Sequence, residues 1–263
     1  MEDRYKNVTS YYDKDAEETR FDIAFKQIER INTEYVISKY VSPNATKVLD
    51  CAAGAGVYVD FLLGLGGRVV ASDLSPKHVE ILRKQYGERI DVYADNATDL
   101  SRHADNTFDT VLCCGPLYHL GYDDSVKCIR ECLRVCKDGG QVIVAYMNKH
   151  FVGFDLMFSD YYKTSVEEGL NIANKGVCEG KNGFWGCARF ISPEECESMV
   201  EKAGGEIIQH STVDSDIPFF FSKMREFDID TVSKLAEYVR AVGDRRTMLG
   251  SGKHNLIIIR KRK

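Results

Sequence analysis

The stretch Val48-Leu49-Asp50-Cys51-Ala52-Ala53-Gly54-Ala55-Gly56-Val57-Tyr58 runs from an apolar, strand-like segment into a loop of small residues. Glycines at 54 and 56 allow a tight turn between strand and helix and let a ligand touch the main chain. A dinucleotide fingerprint, G-x-G-x-x-G, needs a third glycine at position 59, where this chain has Val. Asp50 at the strand end would repel a pyrophosphate and welcome a cation.

Outward from this loop, short apolar runs alternate with helical patterns. Arg68-Val69-Val70-Ala71-Ser72-Asp73 reads as a second strand, and Ser75-Pro76 then starts a helix with Pro in its first turn. Val79, Leu82 and Tyr86 continue that helix at i, i+3, i+7. Residues 90–94 and 108–114 read as strands three and four. Val126, Ile129, Leu133 and Cys136 mark a helix closed by Gly139-Gly140, and strand five follows from Gln141 to Tyr146. Such alternation implies right-handed βαβ units and a doubly wound, mostly parallel α/β sheet. Ile207 to Val213 and Leu256 to Arg260 add two late strands around a helix at Val232 to Val242, which makes seven. The capping box Ser192-Pro193-Glu194-Glu195 opens one more helix, ending at Gly204-Gly205.

Four segments are expected. Residues 1–45, with Phe21, Phe25 and Ile28 on one face, form an N-terminal helical lid, and 46–147 form the ligand-binding core. Residues 148–191, aromatic-rich and without a clean period, form an inserted substrate cap. Residues 192–263 complete the sheet.

Composition narrows the function. With 263 residues, 44% of them hydrophobic, the chain suits one large domain or a domain with an added cap. A net charge of −5 argues against nucleic acid as a partner, and Arg260-Lys261-Arg262-Lys263 reads as a solvated basic end. No apolar run reaches the roughly 18 residues of a membrane span, and the opening Met1-Glu2-Asp3-Arg4-Tyr5 has no apolar signal core. Nine cysteines without a C-x-x-C pair fit a reducing cytoplasm. Cys128, Cys132 and Cys136, four residues apart, share a helix face and read as packing residues; no metal site is expected.

Asp73 closes strand two, where this architecture faces the ribose of a bound nucleoside and a carboxylate accepts from both hydroxyls. It could instead cap the Ser75-Pro76 helix, as Asp50 could cap its own. Together the two acids ask for a nucleoside with a diol and a cationic, non-phosphorylated arm.

This constellation resembles the class I S-adenosylmethionine-dependent methyltransferases, in particular the small-molecule type found in ubiquinone and menaquinone biosynthesis. Leu49-Asp50-x-x-x-Gly54-x-Gly56 is similar to the family's first motif, and Phe108-Asp109-Thr110-Val111-Leu112-Cys113-Cys114-Gly115-Pro116-Leu117-Tyr118-His119-Leu120 to its fourth. Leu133-Arg134-Val135-Cys136-Lys137-Asp138-Gly139-Gly140 matches the turn after the following helix. The resemblance implies a Rossmann-like fold and S-adenosylmethionine as cofactor, with S-adenosylhomocysteine as product. Asp50, Ala52, Gly54, Gly56 and Cys114 would meet its methionyl part, Asp73 the ribose and Leu74 the adenine. Within Ala94-Asp95-Asn96-Ala97-Thr98-Asp99-Leu100, either Asp95 or Asn96 takes the acidic place at the adenine edge, beside Ala97. Tyr12 and Arg20 would close over the cofactor from the N-terminal segment, and His119 is the candidate catalytic base or a histidine bonded to backbone.

The expected reaction is in-line methyl transfer to a small-molecule acceptor, by a monomer or homodimer. The rival readings are a nicotinamide-dependent oxidoreductase, opposed by Val59 and Asp50, and a non-catalytic nucleoside-binding regulator.

Overall fold

The structure is a computed structural model that describes residues 8, 26–41, 46–158, 164–178, 186–215 and 229–262. Tyr12, Arg20, Phe21 and Phe25 lie outside the described residues.

Helix α1 (Gln27–Tyr40) precedes β1 (Lys47–Cys51), α2 (Val59–Gly64), β2 (Arg68–Asp73), α3 (Pro76–Tyr86), β3 (Asp91–Ala94) and β4 (Phe108–Cys113). Then come α4 (Tyr122–Val135), β5 (Cys136–Met147), α5 (Lys149–Phe158), α6 (Val166–Lys175), α7 (Pro193–Ala203), β6 (Gly205–Thr212), α8 (Ile229–Val242) and β7 (His254–Lys261). The seven strands form one sheet in the order β3-β2-β1-β4-β5-β7-β6. Strands β1 to β5 pair in parallel, while β7 is antiparallel to both β5 and β6. The doubly wound, mostly parallel sheet is therefore as expected. Winding reverses between β1 and β4, which opens a crevice at the carboxyl ends of these two strands.

Alternate strand residues point to opposite faces, and this divides the core into two apolar layers. Val48, Leu112 and Ile143 enter one layer, and their neighbours Leu49, Val111 and Val142 enter the other. Helix α1 packs into the first layer through Val36 and Ile37, while its Ile28 packs with Val232 and Val239 of α8. Cys128 and Cys132 are buried in the second layer with Cys51 and Cys113. The Cys113 and Cys128 sulfurs lie 3.6 Å apart.

Two local expectations need correction. Gly139-Gly140 does not separate α4 from β5: the helix ends at Val135 and the strand runs from Cys136 straight through both glycines. The register against β4 shifts there, between Phe108 and Thr110, because the bulge brings Gly140 against Asp109. A Cβ on Gly140 would lie 2.5 Å from the Asp109 carbonyl, so only glycine fits that approach. The segment 148–191 is also more regular than its aromatic content indicates. It contains α5 and α6, which cross where Gly153 and Gly169 let the backbones touch; a Cβ on Gly153 would sit 2.5 Å from the Gly169 carbonyl. The missed signal is Ser165-Val166-Glu167-Glu168, a complete capping box at the start of α6.

Candidate active site

The site is built on the loop between β1 and α2. Ala52 holds a left-handed φ of 63°, followed by Gly54 at 57° and Gly56 at 93°. Asp73 fastens this loop to the next unit. Its Oδ2 accepts the N–H of Gly54 at 2.8 Å, and its Oδ1 accepts the N–H of Ser75 at 2.8 Å, with His78 Nδ1 at 3.3 Å from Oδ1. The helix cap itself is Ser75, whose hydroxyl accepts from the His78 N–H. One carboxylate thus joins the two turns that follow β1 and β2.

Asp50 is different. It is 1% exposed, and its Oδ2 has no hydrogen-bond partner. Burial, and next the charge of Asp73, push its carboxyl up to about 7. A buried acid in this state offers a strong site for a positive charge.

Asp50, Ala52, Gly54, Asp73 and Leu74 line a single cleft at the strand ends. The same cleft is lined by Asp95, Asn96, Ala97, Cys114 and His119. Gly56 does not line it. A Cβ on Gly56 would lie 2.9 Å from Leu82 Cδ2 and 3.0 Å from Tyr86 Cε2, so this glycine serves the close packing of the loop on α3. The open space is at Gly54, where a Cβ would meet nothing within 4 Å.

Asp95 and Asn96 have different partners. The Asp95 carboxylate accepts from Arg102 Nε at 2.9 Å and lies 3.1 Å from His103 Nε2. The single side-chain oxygen of Asn96 accepts from both the N–H and the hydroxyl of Thr98, each at 3.0 Å. His119 Nδ1 donates to the carbonyl of Cys187 at 3.3 Å, tying the turn after β4 to the inserted segment. That segment also donates from the Arg189 N–H to the Tyr118 carbonyl.

Tyr118 stands in the motif after strand four, whereas the other lining residues that follow were not singled out in the sequence. Glu29 and Thr33 come from α1, His78 from α3, Tyr118 from the turn after β4, and His254 from the start of β7. Glu29 had one available clue, as an acid on the buried face with Ile28, Asn32 and Val36. His254 had none, because its partner Asp214 is 40 residues away in the chain.

A sequence profile described as "Methyltransferase domain" matches residues 49–144. The "Ubiquinone biosynthesis O-methyltransferase" of Xanthomonas campestris pv. campestris is 30% identical over 176 residues, covering 66% of this chain and 67% of the relative. The chain belongs to the S-adenosylmethionine-dependent methyltransferases. Two solved structures share the fold of this methyltransferase. A Pyrococcus horikoshii protein superposes with a TM-score of 0.63 at 18% identity, covering 99% of each chain. The Burkholderia thailandensis 1,6-didemethyltoxoflavin-N1-methyltransferase, solved with its acceptor and S-adenosylhomocysteine, gives 0.58 at 18% identity, covering 99% of this chain and 87% of that one. The methyltransferase is therefore an enzyme, and the oxidoreductase and non-catalytic readings fall. Among its described residues, no helix is long and apolar enough to cross a membrane.

Proposed function

We propose that this methyltransferase seats S-adenosylmethionine along the carboxyl ends of β1 to β4 and transfers its methyl group to a hydroxyl oxygen of a small acceptor. The observation that carries the reading is the unpartnered Oδ2 of Asp50, buried in the cleft and matched in charge to the ammonium of the methionyl arm. Ala52, Gly54 and Cys114 lie beside it and would contact the same arm. Asp73 keeps lone pairs beyond its two amide bonds and would accept from the ribose hydroxyls. Leu74 and Ala97 would flank the adenine. Asp95 is the better acceptor for the adenine amine, because the Asn96 oxygen already takes two bonds while a carboxylate offers about four sites. Gly56 acts through packing, and Tyr12 and Arg20 would close the cofactor end.

The cofactor supplies an electrophilic methyl on a cationic sulfur. The protein supplies alignment and a dry cleft, and orientation alone can contribute on the order of 7–11 kcal/mol. Transfer to oxygen is supported by the relative's name and by the histidines His119 and His254 in the cleft wall. The bonds from Cys187 and Arg189 support residues 148–191 as the acceptor-side wall. The net charge of −5 and the nine free cysteines support a cytoplasmic enzyme acting on metabolites rather than nucleic acid, which we take to be a monomer or homodimer.

Calorimetric titration with S-adenosylhomocysteine tests the reading. The chain should bind it, more weakly at pH 6 than at pH 8, since protonating Asp50 near pH 7 removes the charge that holds the ammonium. Asp50→Asn should weaken binding about 10- to 100-fold, corresponding to one charge-assisted bond, and flatten this pH dependence. An absence of binding at either pH would overturn the proposal.

A further inference from the structure

His254 opens β7 in the cleft wall, where three separate parts of the chain meet its ring. Its Nδ1 lies 2.7 Å from Asp214 Oδ2 and 3.4 Å from Glu29 Oε2. Its ring meets that of Tyr118 edge-on, with centroids 6.4 Å apart. Asp214 is 2% exposed, and its Oδ1 accepts the N–H groups of Lys253 at 2.9 Å and His254 at 3.1 Å. Gly252 makes this approach possible, since a Cβ there would stand 2.8 Å from Asp214 Oδ1. Lys253 beside it turns to Asp155, with Nζ to Oδ2 at 3.4 Å. Among the described residues, the charged and titratable groups facing the ring include Asp214, Glu29 and Tyr118.

A mere tie between β6 and β7 needs no ions, and burying two carboxylates costs several kcal/mol unless something offsets them. The arrangement instead has the parts of an oriented base: an acid fixes one ring nitrogen, holds the tautomer and stabilises the cation that forms on proton uptake. With Nδ1–H donated to Asp214, the neutral ring carries its lone pair on Nε2. His119 lines the same cleft, but its Nδ1 is held by a carbonyl, which orients the ring without compensating a charge.

We propose that His254 is the proton acceptor for the hydroxyl of the methyl acceptor, with Asp214 and Glu29 as positioning residues. This rests on the reading of the cleft as a site of methyl transfer to oxygen. In the step, the acceptor O–H bond breaks and its proton passes to His254 Nε2. The freed oxygen pair forms the new bond to the methyl carbon, and the carbon–sulfur pair returns to sulfur, leaving S-adenosylhomocysteine. The proton later leaves His254 for solvent.

The test uses 4-nitrocatechol as probe, because its phenolate absorbs in the visible whether or not methyl transfer occurs. The wild-type chain should bind it and ionise it below its solution pKa. His254→Gln should bind the probe in its protonated form, and Asp214→Asn should ionise less of it, with calorimetry on S-adenosylhomocysteine reporting that each variant is folded. Where labelled cofactor methylates the probe, His254→Gln should lower kcat about 10²- to 10⁴-fold and remove the rise of kcat with pH. Ionisation of the probe without methyl transfer supports the proton acceptor and sinks the methyl-transfer reading at this site. Methylation with kcat and pH profile unchanged in His254→Gln, or lost only in His119→Gln, overturns the proposal and leaves that reading standing. Wild-type chain that binds the probe without ionising it also overturns the proposal.

Discussion

Asp50 and Asp73 sit 23 residues apart at the ends of neighbouring strands, yet their surroundings give them opposite energetics. Asp73 is satisfied by the chain itself. Replacing it with Ala removes the bonds to Gly54 and Ser75 along with the predicted ribose contact, so cofactor affinity and stability should fall together. Each charge-assisted bond lost is worth about 1.5–3 kcal/mol, read by denaturant unfolding beside S-adenosylhomocysteine titration. Asp50 is unsatisfied, and folding raises its carboxyl from 3.8 to about 7. A group raised in the folded state favours folding while it is protonated, so this contribution is present below pH 4 and is lost as pH rises towards 7. Asp50→Asn should therefore stabilise the ligand-free chain at pH 8, by up to about 4 kcal/mol, while it weakens cofactor binding. A lower melting temperature for the variant at pH 8 would contradict this account. Both acids were legible in the sequence because each ends an apolar run beside a glycine or a Ser-Pro step. Their difference was not, since it depends on which amides the folded loop turns towards them.

At the level of elements, the β1–α2 loop separates two glycines that sequence alone treats alike. Gly54→Ala should cost about 1 kcal/mol of stability from its left-handed φ, because no atom lies near the added methyl. Its main effect should be on cofactor affinity. Gly56→Ala adds a collision with Leu82 and Tyr86 to the same backbone strain, so about 2–4 kcal/mol is expected, visible as a lower denaturation midpoint. Equal losses in the two variants would mean that the loop does not rest on α3. The strand and helix runs of residues 46–147 were readable from periodicity, apart from the start of β5. There the glycine pair looks like a helix stop, and it proves to be a bulge because the Asp109 carbonyl faces Gly140. Phe151, Phe154 and Phe158 of α5 do follow a helical i, i+3, i+7 spacing, which the other aromatics of the segment obscured, and the Ser165 capping box of α6 was in plain view.

For the whole molecule, the inserted segment is part of the core. Val152, Leu156, Ile172 and Phe190 are buried in the layer that holds Val48 and Leu112. Leu156→Ala should therefore destabilise the entire chain by about 2–5 kcal/mol in one cooperative transition. Two separated transitions would show that α5 and α6 fold on their own. The same scale explains what sequence reading missed in the cleft. The proposed cofactor half comes from consecutive βα turns and leaves contiguous motifs, whereas Glu29 on α1, Asp214 just after β6 and His254 on β7 are spread over 225 residues of chain. Only tertiary structure unites them.

The reversed direction of β7 has a practical corollary. Because this strand starts at the mouth and finishes beside Gly205 and Arg260's partner Glu206, Lys261 emerges at the opposite rim of the sheet. A sensor chip or affinity resin coupled beyond that lysine would hold the protein by its back, with the entrance facing the flowing analyte.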